Sequence, residues 1–197
     1  MRIPMSWANR VTIARVLFIP VFLVTLLVRM PHWGPWLAAT VFALVAATDA
    51  VDGYLARSRN EVTTFGKFID PLADKLLVTA ALVGLVELGT LPSWVALIII
   101  SREFIVSGLR MVAVAEGRVI AASHWGKSKT VFQIVAIIAF IVKDSEAVRS
   151  LGALPWLAFT IASWIVMAIA VGLTIWSMWE YFYHARDVIA GPWSGRE

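Results

Sequence analysis

Four aspartates, Asp49, Asp52, Asp70 and Asp74, stand close together in a chain that is otherwise mostly apolar. On α-helices, Asp49 and Asp52 would lie about one turn apart, and so would Asp70 and Asp74, so each pair shares one face of its helix. Carboxylate oxygens are the ligands that hard divalent cations prefer. Two such faces brought together would form an oxygen-rich site for these cations.

The composition indicates which elements position the carboxylates. The chain has 197 residues, of which 60% are hydrophobic and 15% charged, and its mean hydropathy is +0.81. A soluble domain has roughly 45–50% apolar residues. At about 20 apolar residues per membrane-spanning helix, the length allows about six spans and no sizeable soluble domain. We therefore expect an all-α polytopic membrane protein with six transmembrane helices in one bundle, forming a single domain over residues 1–197.

The boundaries of the spans follow from polar, Pro-rich and Gly-rich breaks. The predicted spans are residues 11–27, 37–55, 67–88, 93–115, 130–142 and 154–183. Residues 1–10 mix Arg, Trp, Met and Ile, as a short interfacial segment does. No small-residue cleavage pattern follows the first span, so we expect it to be retained. Gly89 and Pro92 are expected to end the third span.

This arrangement places all four aspartates at one membrane face, where the second span ends and the third begins. An ionised Asp in a spanning helix costs a few kcal/mol or more, so four of them need partners or a cation. Capping of helix ends is the alternative, but it does not require four acids at paired helical spacing. The chain has no cysteine, so a metal site would use oxygen or imidazole ligands.

The basic residues predict the orientation. All but three of the 17 Lys and Arg residues lie on the side of the two termini and the aspartates; the exceptions are Arg29, Lys143 and Arg149. By the positive-inside rule, both termini and the aspartates face the cytoplasm. The net charge of +4 is therefore explained by topology, and we expect no nucleic-acid partner.

The aspartates belong to a longer pattern that resembles the signature of the CDP-alcohol phosphotransferases. The pattern keeps every gap of that signature and consists of Asp49, Asp52, Gly53, Ala56, Arg57, Gly66, Asp70 and Asp74. Three further stretches resemble the members that use sn-glycerol 3-phosphate as acceptor: Asn9-x-x-Thr12-x-x-Arg15, SREFIVSGLR and GKSKT. These stretches are less specific than the aspartate pattern.

The resemblance implies a fold, a reaction and a site. The family forms six-helix membrane bundles, usually dimeric, with a polar cavity on the cytoplasmic side, and a bacterial inner membrane suits it. Asp49, Asp52 and Asp70 resemble ligands of a two-metal site for Mg²⁺ or Mn²⁺, with Asp74 at its edge and acting as general base. In the implied reaction, the 1-hydroxyl of sn-glycerol 3-phosphate attacks the lipid-bearing phosphorus of CDP-diacylglycerol. CMP leaves, and no covalent enzyme intermediate forms.

Residues around the aspartates are expected to bind the two substrates. The small residues Gly53 and Ala56 would let a bulky ligand approach the carboxylates, although they would equally permit tight helix packing. Asn9, Thr12 and Arg15 could contact nucleotide or phosphate, or could simply fix the first helix at the interface. The residues expected to bind CDP-diacylglycerol are Gly53, Ala56, Arg57, Gly66, Asn9 and Thr12.

The acceptor carries its own phosphate, which a second set of residues is expected to bind. Arg offers a fork of donors to phosphate oxygens and Lys a point charge, and the expected residues are Arg110, Lys127 and Lys129. The alternative for the two lysines is that they anchor lipid headgroups. Glu103 lies seven residues before Arg110 and is predicted to hold that arginine in place.

Three alternative functions differ from this one, two in their acceptor and one in its class. A cardiolipin synthase of the same family would accept phosphatidylglycerol, and another member would accept inositol phosphate. The basic residues favour a small phosphorylated acceptor. From a different class, a metal or proton transporter would carry acids near the midplane of the bilayer and often repeated halves; the sequence shows neither.

Overall fold

The computed structural model describes the backbone of residues 7–28, 32–59, 64–115 and 124–190, and side chains at 13–28, 32–48, 75–113, 128–183 and 186. Every regular element in these ranges is a helix, which confirms the all-α prediction. In chain order the helices are α1 (Trp7–Leu27), α2 (Gly34–Arg59), α3 (Thr64–Glu87), α4 (Ser93–Ala115), α5 (His124–Val142), α6 (Glu146–Arg149) and α7 (Ala153–Ala190).

Each of the six predicted spans corresponds to one long helix, but several helices extend beyond the apolar stretch. Between the second and third predicted spans, residues 57–67 form a polar run that was predicted as a loop. Much of it is helical, because α2 continues to Arg59 and α3 begins at Thr64. α5 begins at His124, six residues early, and α7 continues to Ala190. The end of an apolar stretch marks a change of environment, whereas a helix continues until its hydrogen bonding is interrupted.

Membrane-length apolar segments are fewer than the long helices. Among the described residues, only Ala153–Tyr183 is both long and apolar enough to cross a membrane by composition. Shorter apolar segments cover Ile13–Leu27, Gly34–Thr48 and Ser128–Val142. In α4 the charged residues Arg102, Glu103 and Arg110 interrupt the apolar sequence. The helices are thus established, whereas apolar composition alone supports one span among the described residues.

The long helices pack as two groups of three. α1 packs against both α2 and α3, and α7 packs against both α4 and α5. Contacts of α2 with α5, of α3 with α4 and of α3 with α5 join the two groups. The shared core consists of fully buried aliphatic and aromatic side chains; its largest members are Phe22, Phe42, Leu82, Leu85, Ile99, Ile137 and Phe140.

The end of α3 shows how a single glycine stops a helix. Gly89 has a φ of 69°, a conformation that costs glycine little because it has no Cβ. Its amide donates to the carbonyl of Val86 at 2.9 Å, and the amide of Thr90 donates to that of Leu85 at 3.0 Å. This pair of bonds is the Schellman arrangement. The predicted end of the third helix at Gly89 is confirmed.

A second glycine sets the distance between α1 and α3. A Cβ added at Gly84 would lie 2.6 Å from Cδ2 of the buried Leu26. We expect Gly84→Ala to lower stability by about 1–3 kcal/mol, because an extra methyl in a packed contact displaces its neighbours. The measurement is thermal unfolding in detergent. Gly172→Ala is the control, since nothing lies within 4 Å of its Cβ; equal unfolding temperatures for the two variants would show that Leu26 simply moves aside.

The connection between α5 and α7 is held by a small ion-pair cluster around Asp144. The Lys143 ammonium contacts Oδ2 of Asp144, and Nη2 of Arg149 lies 3.2 Å from Oδ1. Burial alone would raise the pKa of Asp144, but the hydrogen bonds and charges of Lys143 and Arg149 outweigh it and hold that pKa below its ordinary value. Ser145 caps α6 by accepting a hydrogen bond from the amide of Val148 at 3.3 Å.

The lowered pKa makes the stability contribution of Asp144 depend on pH. The contribution is complete above the pKa of the unfolded chain and is lost as the pH falls through the lower folded value. We expect Asp144→Asn to destabilise the protein by up to about 1 kcal/mol at pH 7, with the difference shrinking below about pH 4. Unfolding temperatures measured from pH 3 to pH 7 test this, with the exposed Glu87→Gln as control. A difference that does not depend on pH would contradict it.

Candidate active site

Two helices of one group carry the four aspartates. Asp49 and Asp52 lie in the second half of α2, and Asp70 and Asp74 lie in the first half of α3. All four positions are helical, α2 contacts α3, and α1 packs against both. The side chains of these aspartates lie outside the described ones, so their roles as metal ligands and base stay predictions.

The other residues expected at the donor site also lie on these helices. Their backbone is helical throughout and their side chains are outside the described set. Asn9 and Thr12 are on α1, Gly53, Ala56 and Arg57 on α2, and Gly66 on α3. The residues therefore belong to the same group of three helices as the aspartates.

The acidic side chains of α1, α2 and α3 decide whether this group of helices can bind divalent cations. Among the described side chains, no three His, Asp or Glu residues are grouped as metal ligands. The acids that would form such a group are the four aspartates, two on each of two contacting helices. Carboxylate oxygens without thiolates suit Mg²⁺ and Mn²⁺, so the donor set fits the expected ions.

The second group of helices contains a buried ion-pair network centred on Glu103. The Lys129 ammonium of α5 contacts Oε1 of Glu103 on α4, and Nη1 of Arg102 lies 3.3 Å from the same oxygen. Lys129 is 3% exposed and Arg102 8% exposed. Charges this deeply buried are tolerated only when they are paired. Glu103 therefore neutralises part of the charge that two buried cations bring between α4 and α5.

Ser177 extends this network to α7. Its Oγ accepts a hydrogen bond from Nη2 of Arg102 at 3.0 Å and donates one to the carbonyl of Thr174 at 3.0 Å. Both capacities of the hydroxyl are thus used, which suits a side chain that is almost fully buried. The network joins α4, α5 and α7 through side chains alone.

Arg110 lies apart from Glu103. Its guanidinium sits over the ring of Tyr181 on α7, 5.5 Å from the centroid, a cation–π contact. The prediction that Glu103 holds Arg110 is wrong: Glu103 instead pairs with Lys129 and Arg102. Seven residues correspond to about 10.5 Å along a helix, whereas Lys129 approaches from the neighbouring helix. Arg110 is exposed, so its charge is accessible to a ligand.

The predicted acceptor residues thus occupy different settings. Arg110 is exposed, Lys129 is buried against Glu103, and Lys127 lies on the first turns of α5 with its side chain outside the described ones. Three cations, Arg102, Arg110 and Lys129, accompany the carboxylate of Glu103. The described part of this cluster carries excess positive charge, as a phosphate site requires.

The sequence interpretation missed Ser177 and Tyr181 as members of this cluster. The two residues lie four positions apart on α7 and therefore on one face. Their spacing was a usable signal, but the surrounding tryptophans and tyrosines are also typical of a helix at the membrane interface. Composition alone could not separate the two interpretations.

A cavity lined by described residues lies away from this cluster. It has a volume of about 430 Å³ and is lined by the C-terminal ends of α1, α3 and α5, including Thr25, Leu88 and Phe140. Asp144 and Arg149, which pair with each other, stand at its edge. α2 and α3 carry the aspartates at their other ends, so this cavity is not the predicted metal site.

Comparison with known proteins decides the family. Residues 5–176 match the family model of the CDP-alcohol phosphatidyltransferases. The chain belongs to the CDP-alcohol phosphatidyltransferase family. The match confirms the resemblance inferred from the aspartate pattern. It also includes every predicted site residue, whereas Ser177 and Tyr181 fall just beyond it.

Named relatives of this CDP-alcohol phosphatidyltransferase are similar over most of their length. The CDP-diacylglycerol–glycerol-3-phosphate 3-phosphatidyltransferase of Bacillus subtilis is 42% identical over 188 residues, covering 88% of this chain and 92% of the relative. The protein of the same name from Pseudomonas fluorescens is 40% identical, covering 90% and 88%. A probable phosphatidylglycerophosphate synthase of Mycobacterium tuberculosis is 39% identical, covering 93% and 83%.

Proposed function

We propose that this protein transfers the phosphatidyl group of CDP-diacylglycerol to sn-glycerol 3-phosphate, giving phosphatidylglycerol phosphate and CMP. The observation that carries the proposal is the complete aspartate pattern on two contacting helices, in a chain 42% identical to a relative with that named activity. The excess positive charge around Arg110 supports a small phosphorylated acceptor over phosphatidylglycerol.

In the proposed mechanism the four aspartates have two roles, metal binding and proton transfer. Asp49, Asp52 and Asp70 hold two divalent ions, Mg²⁺ or Mn²⁺, with Asp74 at the edge of the site; dependence on a divalent metal is general in the family. When bound, these ions neutralise the pyrophosphate and make CMP a better leaving group. Asp74 takes the proton of the 1-hydroxyl, whose oxygen attacks the lipid-bearing phosphorus as the bond to CMP breaks.

The two substrates bind to different groups of helices in this proposal. CDP-diacylglycerol is held beside the aspartates by residues of α1, α2 and α3: Gly53, Ala56, Arg57, Gly66, Asn9 and Thr12. The phosphate of the acceptor is held from the other group, by Arg110 on α4 and by Lys127 and Lys129 on α5. The ammonium of Lys129 is buried and also contacts Glu103, so the exposed Arg110 is the more accessible donor.

The proposal also includes the membrane arrangement. The six long helices cross a bacterial inner membrane as one domain covering residues 1–197, with both termini and the aspartates at the cytoplasmic side, and two copies associate as a homodimer. Large apolar side chains that face outward on α1, α4 and α7 support contact with lipid; examples are Leu17, Leu97 and Leu154. The cytoplasmic orientation gives the site access to soluble glycerol 3-phosphate.

The experiment that tests the function is CMP release by the purified protein in detergent with CDP-diacylglycerol and Mg²⁺. Glycerol 3-phosphate, phosphatidylglycerol and inositol phosphate are offered in turn, with EDTA as control. We expect release that depends on metal and occurs only with glycerol 3-phosphate. Release with another acceptor alone would keep the aspartate site but change the substrate, and no release with any acceptor would reopen transport.

A further inference from the structure

The hydroxyl of Tyr181 is buried and has no hydrogen-bond partner among the described residues. Tyr181 as a whole is 7% exposed, and its ring packs with Val106, Leu109 and Met178. Buried hydroxyls in folded proteins nearly always have a partner, because leaving one unpaired is unfavourable. A phenylalanine would pack equally well here, so packing alone does not account for a tyrosine.

The surroundings of this hydroxyl indicate what kind of partner it lacks. The ring supports the exposed guanidinium of Arg110 at 5.5 Å. Arg102, about two turns before Arg110 on α4, donates to Ser177, which precedes Tyr181 by four residues on α7. A ligand that accepts from a hydroxyl and from an Arg fork at the same place is an anion with several oxygens, which describes a phosphate group.

We propose that Tyr181 is a binding residue for the acceptor phosphate, with its hydroxyl donating to a phosphate oxygen held by Arg110. This inference rests on the proposed function and deepens it. It extends the acceptor site from α4 and α5 to the C-terminal part of α7, beyond the residues that match the family model. The ring fixes the guanidinium from one side, and the phosphate completes the hydrogen bonding of the hydroxyl.

The test is Tyr181→Phe, which keeps the ring under Arg110 and removes only the hydroxyl. We expect the apparent KM for glycerol 3-phosphate to rise at least about tenfold, as loss of a hydrogen bond to a charged group does. The kcat, the KM for CDP-diacylglycerol and the unfolding temperature should not change. Inorganic phosphate, tested as a competitive inhibitor at fixed free Mg²⁺, should weaken by the same factor. The control is Tyr183→Phe on the exposed surface of α7.

Each result supports or overturns the inference. An unchanged KM for glycerol 3-phosphate, or an equal rise for Tyr183→Phe, would overturn it. A rise in the KM for CDP-diacylglycerol instead would mean that the hydroxyl contacts a lipid phosphodiester, which also overturns it. The wild-type protein tests the proposed function separately: if it releases CMP only with another acceptor, that function fails. The inference is judged instead by the inhibition constant of inorganic phosphate, compared between Tyr181→Phe and the wild type.

Discussion

Asp74→Asn is expected to reduce phosphatidyl transfer by at least about 10²-fold, the contribution of a positioned general base. The amide has nearly the shape of the carboxylate but cannot take the proton of the acceptor hydroxyl. Three carboxylates remain for metal ions, so binding of CDP-diacylglycerol should be largely kept. The measurements are CMP release and direct binding of CDP-diacylglycerol in the presence of Mg²⁺.

Two other Asp-to-Asn changes make this result specific. Asp49→Asn should weaken binding of CDP-diacylglycerol at low Mg²⁺ and should be partly rescued by more metal, because Asp49 is a proposed ligand. Asp144→Asn, at the opposite end of the bundle, should leave the rate at pH 7 unchanged. Full activity of Asp74→Asn would remove Asp74 as the base and assign the proton to another group.

Glu103→Gln should cause the largest loss of stability, about 3–5 kcal/mol. The substitution leaves Lys129 and Arg102, both more than nine-tenths buried, without the carboxylate that neutralises them. A buried cation that loses its counter-ion is costly, because the attraction that offset its removal from water is gone. Thermal unfolding in detergent, followed by helix content, measures the loss.

A double variant tests the cause of that loss. Lys129→Met removes one of the two buried positive charges, so Glu103→Gln combined with Lys129→Met should be more stable than Glu103→Gln alone. The control is Glu146→Gln, which breaks the exposed pair of Glu146 with His32, 2.7 Å apart; such a pair contributes up to about 1 kcal/mol. Equal effects of Glu103→Gln and Glu146→Gln would show that burial of the network does not contribute to stability.

The sequence predicted the helices well because each long apolar stretch is bounded by polar or helix-breaking residues. Gly89 was a dependable boundary, since its backbone conformation is one that other residues avoid. The start of α5 was placed too late, because Lys127 and Lys129 are polar but still good helix formers. The four residues of α6 are too few to show any periodicity.

The site was predictable where a pattern is local and not where it depends on packing. The aspartates follow a fixed spacing along two consecutive helices, so they could be found without a structure. The partner of Glu103 depends on how α5 lies against α4, and only the fold reveals that it is Lys129. The contact of Tyr181 with Arg110 joins positions 71 residues apart, so no local pattern reveals it. By sequence alone, Tyr181 is typical of an aromatic residue at a membrane surface.

The packing of the long helices in two groups of three has a mechanical consequence. The proposed donor residues lie on α1, α2 and α3, whereas the proposed acceptor residues lie on α4, α5 and α7. In the proposed mechanism, the gap between attacking oxygen and phosphorus would therefore be set by the joint where α2 meets α5 and α3 meets α4 and α5. A slide of about 1 Å at that joint would change the rate by about 10²-fold, although no residue that touches either substrate had been altered.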